Sequence, residues 1–424
     1  MALHVMDEAN RCLQCKNPRC QQGCPIHTNI PEVIRLLKEG KLNDAGWTLF
    51  ENNPLTTVCS LICNHENQCE GHCVRGIKGA PVHFSVIEHY ISSTYASQMT
   101  KGPTPKNGMR VAIIGSGPAG LTIAVILARY GYDVTIFESH DKIGGVLRYG
   151  IPEFRLPKSV LDDFEYRHLQ LKDIKVRPNT DIGKALTIDD LFRDGYKSIF
   201  IGTGVWRPNM LGIKGESLGN VHFAINYLAN PDVYHLGERL TIIGAGNAAM
   251  DVARTAIRHG VQHVTCFSIT KKVTASDYEV SYAKLEGVEF QYNKKPLEIY
   301  DDGVVFCDLD EAEDGTLTPV PGTERKYLSD SVVISISQGA ENSITDSTAG
   351  LEVNPRGLFV ASEVGQTTRP GVFASGDAVK GASTVVEAVA HSKKVAEAMH
   401  QYMQSLPKDE EEDPYRNVPV ATQE

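Results

Sequence analysis

The sequence predicts an α/β protein in which two Rossmann-like, doubly wound nucleotide-binding units follow an N-terminal helical region. From Met109 onward, short runs rich in β-branched residues alternate with helical patterns, as in parallel sheets. Two of these runs lead directly into glycine-rich turns, at Gly115 and Gly244. Before residue 74, by contrast, short helical patterns surround eight of the ten cysteines. These observations separate a cysteine-rich end from two nucleotide-binding units.

Length and charge exclude several classes of protein. The chain has 424 residues, enough for about three domains with cores of their own. Its net charge of −10 opposes binding to phosphate backbones, so no nucleic-acid partner is expected. The N-terminus lacks a secretory pattern, and the longest strongly apolar run, 121–128, is far shorter than a membrane span. We therefore expect a cytoplasmic protein without a membrane partner.

The N-terminal cysteines form two groups with short spacings. The groups are Cys12-x2-Cys15-x4-Cys20-x3-Cys24-Pro25 and Cys59-x3-Cys63-x5-Cys69-x3-Cys73. Thiolates at such spacings can surround an inorganic cluster, and the x3-Cys-Pro ending is typical of ferredoxins whose last cysteine binds the other cluster. This pattern predicts two 4Fe-4S clusters. Structural zinc is the alternative, although zinc usually takes two short cysteine pairs and the sequence contains one Cys-x2-Cys.

The first glycine-rich turn predicts a dinucleotide site. It has the form GxGxxG between a strand and a helix, and its residues are Gly115, Gly117, Pro118, Ala119 and Gly120. The first glycine allows the tight turn, the second lets the backbone approach a pyrophosphate, and the third allows close packing of helix on sheet. Glu138 ends the next strand, eighteen residues after Gly120, where its carboxylate can accept hydrogen bonds from ribose hydroxyls.

The second turn is the GxGxxA variant, and its residues include Gly244, Gly246, Asn247 and Ala248. The strand that follows ends without an acid and precedes Lys271 and Lys272. This arrangement suits a 2′-phosphate better than a bare ribose, which favours NADP over NAD. A solvated loop is the alternative interpretation of the two lysines.

Several motifs carry a family resemblance that extends over nearly the whole chain. Besides the cysteine groups, they are the stretches 144–158, 246–256, 371–377 and 384–388. On these motifs the sequence resembles the small-subunit family of NADPH-dependent glutamate synthase. That family also includes the electron-input part of dihydropyrimidine dehydrogenase and the large subunit of the bifurcating NADH-dependent ferredoxin:NADP oxidoreductase.

The resemblance implies a domain order. Residues 1–106 would form a helical domain with two 4Fe-4S clusters and a linker, 107–232 and 340–406 a split FAD domain, and 233–339 an inserted NAD(P) domain. The acidic segment 407–424 is expected to be disordered because it offers little to bury. The further FAD-binding residues implied are Gly145, Leu147, Gly376, Asp377, Thr384 and Val385. Asp377 would bond the ribityl chain, and the helix starting near Thr384 would point at the flavin ring.

The resemblance also implies the cluster ligands. Cys12, Cys15 and Cys20 would hold one cluster together with Glu88. The second cluster would be held by Cys24, Cys63, Cys69 and Cys73. Cys59 would be left without a ligand role.

The expected function is that of an electron-input subunit with FAD, NADP or NAD, and two 4Fe-4S clusters. Its partner would be a separate catalytic or electron-accepting chain, and no catalytic side chain is expected because the cofactors carry the chemistry. After the second nucleotide strand the family has Tyr-Arg-Arg, whereas this chain has Phe267-Ser-Ile and then Thr270-Lys-Lys. The nucleotide could therefore be NAD as well as NADP. The alternatives are a stand-alone or bifurcating reductase and a zinc-bearing scaffold that senses nucleotide.

Overall fold

The computed structural model describes residues 4–98 and 104–407. The predicted acidic tail, apart from Pro407, and the first part of the predicted linker lie outside the described residues. The α-helices are α1 Val5–Asn10, α2 Arg19–Gln22, α3 Ile30–Lys38, α4 Leu42–Asn52, α5 Thr56–Ile62, α6 Phe84–Gln98, α7 Pro118–Arg129, α8 Val146–Tyr149, α9 Lys158–Phe164, α10 Ile188–Arg193, α11 Ala224–Ala229, α12 Asn247–Arg258, α13 Asp277–Leu285, α14 Ser343–Ser347, α15 Asp377–Lys380 and α16 Val385–Ser405.

The strands divide among parallel and antiparallel sheets. They are β1 Arg110–Ile114, β2 Asp133–Phe137, β3 Lys175–Arg177, β4 Tyr196–Ile201, β5 Arg207–Pro208, β6 Val221–Phe223, β7 Arg239–Ile243, β8 His263–Phe267, β9 Glu289–Gln291, β10 Lys294–Tyr300, β11 Gly303–Glu311, β12 Leu317–Pro319, β13 Arg325–Leu328, β14 Ser331–Ile334, β15 Gln338–Gly339 and β16 Val372–Ala374.

The N-terminal region is helical because its apolar residues recur at helical spacing. In α3, Val33, Ile34 and Leu37 are buried on one face, and Pro31 stands in the first turn, where its missing N–H costs nothing. This face packs on α4 and α6 to form a small core of its own. The cysteine-bearing loops are attached to that core, which gives them fixed positions.

The first parallel sheet has the strand order β16-β4-β1-β2-β3. All of its pairings are parallel, and β16 joins from a segment far along the chain. Helices α7 and α16 pack together against this sheet, and their apolar side chains form the largest core. Four strands before residue 202 and one after residue 371 therefore build one sheet.

The second parallel sheet has the order β6-β14-β7-β8-β9. Because β6 pairs with β14, this sheet begins before the predicted boundary at residue 233. Between β9 and β14 the chain forms an antiparallel sheet of β10, β11, β12 and β13. The short pair β5 and β15 joins the segments that connect the two parallel sheets.

A network of buried charges fastens the second sheet's helices to a loop of the first unit. The Arg155 guanidinium lies 2.8 Å from the Asp251 carboxylate on α12 and 3.0 Å from the Glu279 carboxylate on α13. Arg254 extends the network by bonding Glu279 at 2.8 Å. Phe154 packs under this network, with the Arg254 guanidinium 4.7 Å from its ring centroid. Burial raises the pKa of Asp251 to about 6 in spite of Arg155.

A buried histidine lies between the N-terminal region and the first sheet. The His168 ring stacks on Phe50 of α4 with centroids 4.9 Å apart, and it also contacts Phe164. Its Nδ1 atom is buried without a hydrogen-bond partner among the described residues. Burial lowers the pKa of His168 to about 3, so the ring is neutral at physiological pH.

This histidine predicts a pH dependence of stability. The unfolded chain binds a proton at His168 below pH 6.5, whereas the folded chain does so only near pH 3. Proton binding at His168 therefore favours the unfolded chain as the pH falls below 6.5. We expect the free energy of unfolding to fall by about 2 kcal/mol between pH 7 and pH 5 from this residue. We expect the melting temperature of His168→Gln to fall less over this interval than that of the unmodified protein. His263→Gln, at an exposed histidine, is the control; equal pH slopes for all three proteins would contradict the assignment.

Candidate functional site

A cleft with about 1460 Å³ of empty volume opens at the carboxyl ends of the first sheet's strands. The residues that directly follow β1, β2, β4 and β16 all line it, namely Gly115, Glu138, Gly202 and Ser375. Ligands of open parallel sheets bind at this edge. The cleft contains ten of the residues predicted for FAD: Gly115, Gly117, Pro118, Ala119, Glu138, Gly145, Gly376, Asp377, Thr384 and Val385.

Two other predicted FAD residues do not line the cleft. Gly120 lies behind the turn, where an added Cβ would come within 2.0 Å of the Gly115 carbonyl oxygen. That contact agrees with a packing role. Leu147 is fully buried in the core, and the neighbouring Val146 lines the cleft instead. The short helix α8 turns the Leu147 side chain inward, and its contact with FAD stays a prediction.

The surroundings of Gly117 fit a pyrophosphate. Its backbone is extended, and a Cβ added there would meet no protein atom within 4 Å. The space beside it belongs to the cleft. Helix α7 starts at the next residue, so its unpaired N–H groups and its positive end face the same space.

Glu138 is buried and held by several donors. One carboxylate oxygen accepts hydrogen bonds from the Ser116 hydroxyl and, at 2.9 Å, from the Ser116 backbone N–H. The other accepts from the His140 backbone N–H at 2.8 Å and lies 2.9 Å from His140 Nδ1. Burial alone would raise its pKa, but the hydrogen bonds from His140 and Ser116 outweigh it and lower the pKa of Glu138. The carboxylate is therefore ionised and fixed in orientation.

Sequence reasoning missed His140, which lines the cleft together with Trp206. The hydrogen bond with Glu138 raises the pKa of His140. The imidazole stacks on Tyr149 at 4.4 Å and lies 5.0 Å from the Trp206 ring. The sequence offers one indication of this role: His140 lies two residues after Glu138, and residues just beyond that acid border the same site.

The opposite wall of the cleft is built from the C-terminal segment. Burial raises the pKa of Asp377 to about 6, and one carboxylate oxygen accepts hydrogen bonds from the backbone and hydroxyl of Ser383 at 3.1 and 3.0 Å. Helix α16 begins with a capping box in which Thr384 N–H donates to Glu387 at 3.0 Å. Its N-terminus faces the cleft through Thr384 and Val385.

The second glycine-rich turn borders the same cleft through Ala248, at the start of α12. Gly244 has φ +122°, and a Cβ there would lie 2.1 Å from the Ser335 carbonyl oxygen, so only glycine fits. Gly246 is extended and precedes the helix. The Asn247 side chain accepts a hydrogen bond from the Ser276 N–H at 2.9 Å and so fixes the loop before α13.

Both lysines predicted for a 2′-phosphate, Lys271 and Lys272, are exposed beyond β8. A neighbour that sequence reasoning missed is Glu311, whose carboxylate accepts a hydrogen bond from the Lys271 backbone N–H at 3.1 Å. Glu311 ends β11, forty residues further along the chain, so no local pattern points to this contact. A negative charge therefore lies beside the two lysines.

The cysteines border two cavities in the N-terminal region. The first cavity is lined by Cys12, Cys15, Cys20, Cys69 and Cys73. The second is lined by Cys24, Cys59, Cys63, Cys69 and Glu88. These linings differ from the expected ligand sets in two places, because Cys73 lies with the first set and Glu88 with the second, and the ligand sets stay a prediction. Cys69 lines both cavities, whereas Cys73 lines the first.

The charge environment of both cavities suits a cationic cluster. Burial raises the pKa of Cys20 to about 11, and the nearby Cys73 and Cys12 add to the effect. Burial also raises the pKa of Cys69, and it raises that of Glu88 to about 7. Thiols and a carboxylate gathered in this way resist ionisation unless a positive metal centre compensates their charge. The donor set therefore fits iron–sulfur clusters.

Two observations limit other structural roles for these side chains. None of the ten cysteines forms a disulfide. In residues 4–98 and 104–407, no three His, Cys, Asp or Glu side chains converge closely enough to hold a single metal ion. The cysteines surround cavities instead. Over the same ranges, no helix has the length and apolar character needed to cross a membrane.

Comparison with known proteins identifies the family. Residues 109–392 match the family model described as pyridine nucleotide-disulphide oxidoreductase, and residues 2–100 match the model for dihydropyrimidine dehydrogenase domain II, 4Fe-4S cluster. The glutamate synthase [NADPH] small chain of Escherichia coli (strain K12) is 32% identical, over 94% of this chain and 91% of that one. The chain belongs to the glutamate synthase small-chain family.

Another member of the glutamate synthase small-chain family is the NAD-dependent dihydropyrimidine dehydrogenase subunit PreT of E. coli (strain K12), 33% identical over 95% of each chain. Among solved structures, FprA of Mycobacterium tuberculosis in complex with NADPH is similar with a TM-score of 0.60, at 17% identity over 71% of this chain and 85% of that one. Thioredoxin reductase of T. acidophilum has a TM-score of 0.55 at 24% identity, over 70% and 98%. These structures confirm the predicted α/β fold.

Membership of the glutamate synthase small-chain family confirms the expected class of enzyme. The chain is an NAD(P)H-dependent flavin oxidoreductase with an N-terminal iron–sulfur region. Its cofactors are FAD, a nicotinamide nucleotide and 4Fe-4S iron–sulfur.

Proposed function

We propose that this chain is an electron-input subunit: NAD(P)H reduces FAD in the cleft, and electrons leave singly through two 4Fe-4S clusters to a separate partner chain. The continuity of the sites carries the proposal. Val385 borders the FAD cleft, the adjacent Val386 borders the second cysteine cavity, and Cys69 borders both cysteine cavities. The FAD cleft is thus next to the second cysteine cavity, and the second cavity is next to the first. Relatives named as small chains or subunits support a partner chain.

Bound flavin exchanges a hydride with nicotinamide and single electrons with clusters, so it converts two-electron into one-electron transfer. The protein's residues position it. Gly117 and the start of α7 would receive the pyrophosphate, and Glu138 the ribose hydroxyls. Asp377 would bond the ribityl chain, and the N-terminus of α16 would stabilise negative charge on the ring. Ala248 at the start of α12 would direct the nicotinamide nucleotide to the same cleft. No side chain is assigned an acid or base role.

The cluster ligands we propose follow the two cavities. Cys12, Cys15, Cys20 and Cys73 would hold the outer cluster. Cys24, Cys63, Cys69 and Glu88 would hold the inner one. Glu88 is buried on α6 and accepts a hydrogen bond from the Thr56 hydroxyl at 2.7 Å, which fixes one of its oxygens. Cys59 is buried on α5 and lines the same cavity, and it has no ligand role in this assignment.

The test of this function is the cofactor content and dye reduction of the purified protein. We expect one FAD and about eight irons with matching acid-labile sulfide, the content of two 4Fe-4S clusters. We also expect NADH or NADPH to reduce an artificial one-electron acceptor. Protein without flavin or iron, or protein that reduces no acceptor with either nucleotide, would overturn the proposal. Zinc without sulfide would favour the nucleotide-sensing scaffold.

The contact between Glu311 and Lys271 predicts a change in nucleotide preference. Glu311→Gln keeps a hydrogen-bond acceptor but removes the charge that opposes a 2′-phosphate near the two lysines. We expect the KM for NADPH to fall about threefold, the effect typical of one exposed charge contact, with the KM for NADH unchanged. Glu313→Gln, at an exposed acid two residues away, is the matched control. Equal shifts for both nucleotides would place the 2′-phosphate elsewhere.

A further inference from the structure

Five basic residues lie at or next to the first cysteine cavity, and we call them the basic rim: Lys16, Arg19, Lys38, Arg75 and Lys78. All five are exposed. Arg19 and Arg75 line the cavity itself, and the charge of Lys38 acts on the thiol of Cys12. Lys16 follows Cys15 directly, and Lys78 follows the short turn Val74–Ile77. The rim therefore borders the outer cluster site.

Within residues 4–98 and 104–407, no carboxylate forms an ion pair with the basic rim. Other basic residues of the same region are paired, as Arg35 is with Glu32 and Glu39. The whole chain carries a net charge of −10, so an uncompensated positive patch is a local exception. Such a patch attracts an acidic surface and raises its association rate.

The same place combines apolar contact area with access to the outer cluster site. Leu13 is 59% exposed and lines the cavity, and Ile77 is 64% exposed beside Lys78. Cys12, Cys15, Cys20 and Cys73 are half-buried, as are Cys24 and Cys63 of the second cavity, whereas Cys59, Cys69 and Glu88 are buried. A protein that takes electrons from the outer cluster would approach it across the rim.

We propose that the basic rim is the docking site of an acidic electron-accepting protein, whose redox centre is bordered by carboxylates and which takes one electron from the outer cluster. The inference rests on the proposed function and adds the partner's chemistry and the face to which it binds. Rim charges set the orientation and rate of encounter, while Leu13 and Ile77 supply the apolar contact.

The test measures binding rather than turnover. The holoprotein, with both partners oxidised, is titrated with an acidic plant-type 2Fe-2S ferredoxin as the probe, by calorimetry at several NaCl concentrations. We expect affinity to fall steadily as salt rises, and Lys16→Glu with Lys78→Glu to weaken binding about tenfold at low salt. The control pair is Lys295→Glu with Lys394→Glu, two exposed lysines outside the cysteine region with no carboxylate partner among the residues that the structure describes, and it should bind unchanged. Iron and flavin content verifies that each variant is intact.

Three outcomes overturn the inference: no binding of the probe, equal weakening by the rim and control pairs, or tighter binding of the basic protein cytochrome c. Dye reduction by the same preparations separates the two proposals. If the protein reduces the dye but does not bind ferredoxin, the docking proposal is overturned and the proposed function is not. Ferredoxin binding without dye reduction overturns the proposed function.

Discussion

Gly117→Val is expected to remove FAD from the protein while leaving its fold intact. The backbone of Gly117 is extended, a conformation that valine adopts readily, and an added Cβ meets no protein atom within 4 Å. The new methyl groups would occupy the part of the cleft where the backbone must approach the pyrophosphate. We expect the FAD content to fall from one per chain to near zero and dye reduction to be lost with it. Absorbance of the released flavin and the circular dichroism spectrum measure the two effects.

Two further glycine variants control this result. Gly219→Val adds the same side chain at another glycine with no atom within 4 Å of the added Cβ, and it should retain FAD. Gly120→Ala places a Cβ 2.0 Å from the Gly115 carbonyl oxygen, so it should damage the fold as well as flavin binding. If Gly117→Val keeps a full complement of FAD, the pyrophosphate does not lie at this turn.

Cys73→Ala should lower the iron content from about eight to about four per chain, because one 4Fe-4S cluster is lost. The structure places Cys73 with Cys12, Cys15 and Cys20, so the lost cluster should be the outer one. Cys12→Ala should then lose the same cluster, and the double variant should lose no further iron. Iron analysis and low-temperature electron paramagnetic resonance of the reduced protein measure this grouping. Additive losses in the double variant would restore the grouping expected from the resemblance.

The inner site has two candidates for its fourth ligand, and paired variants separate them. Glu88→Ala removes the proposed ligand, and Cys59→Ala removes the neighbouring thiol that lines the same cavity. We expect Glu88→Ala to lose about four irons and Cys59→Ala to keep about eight. The opposite result would make Cys59 the ligand. Cys266→Ala, at a buried cysteine of the second sheet, is the control for thiol loss in a core.

The parts of the fold that depend on local pattern were predictable. A strand that runs into GxGxxG fixes the start of a helix and the edge of a sheet, and Gly115, Gly117 and Glu138 all line the cleft as expected. The domain boundary near residue 233 was harder to predict from the sequence. Strand β6 has three residues, and its place in the second sheet depends on pairing with β14, far along the chain.

The missed features share a physical cause, since each depends on which way a side chain points or on a distant segment. Leu147 lies in a matching motif, but the turn of α8 buries it and exposes Val146. Cysteine spacing shows that Cys69 and Cys73 lie close together, not that Cys69 borders both cavities and Cys73 the first. Glu311 reaches Lys271 only because an antiparallel sheet returns to the end of β8. Periodicity and spacing carry no information on such contacts.

The buried bridge between Arg155 and its two carboxylates has a consequence for the timing of turnover. A swing of the second sheet away from the first would break the contacts of Arg155 with Asp251 and Glu279. These ion pairs therefore favour the arrangement in which the two nucleotide units lie together. We expect catalytic cycles to proceed without a large rotation between the two units.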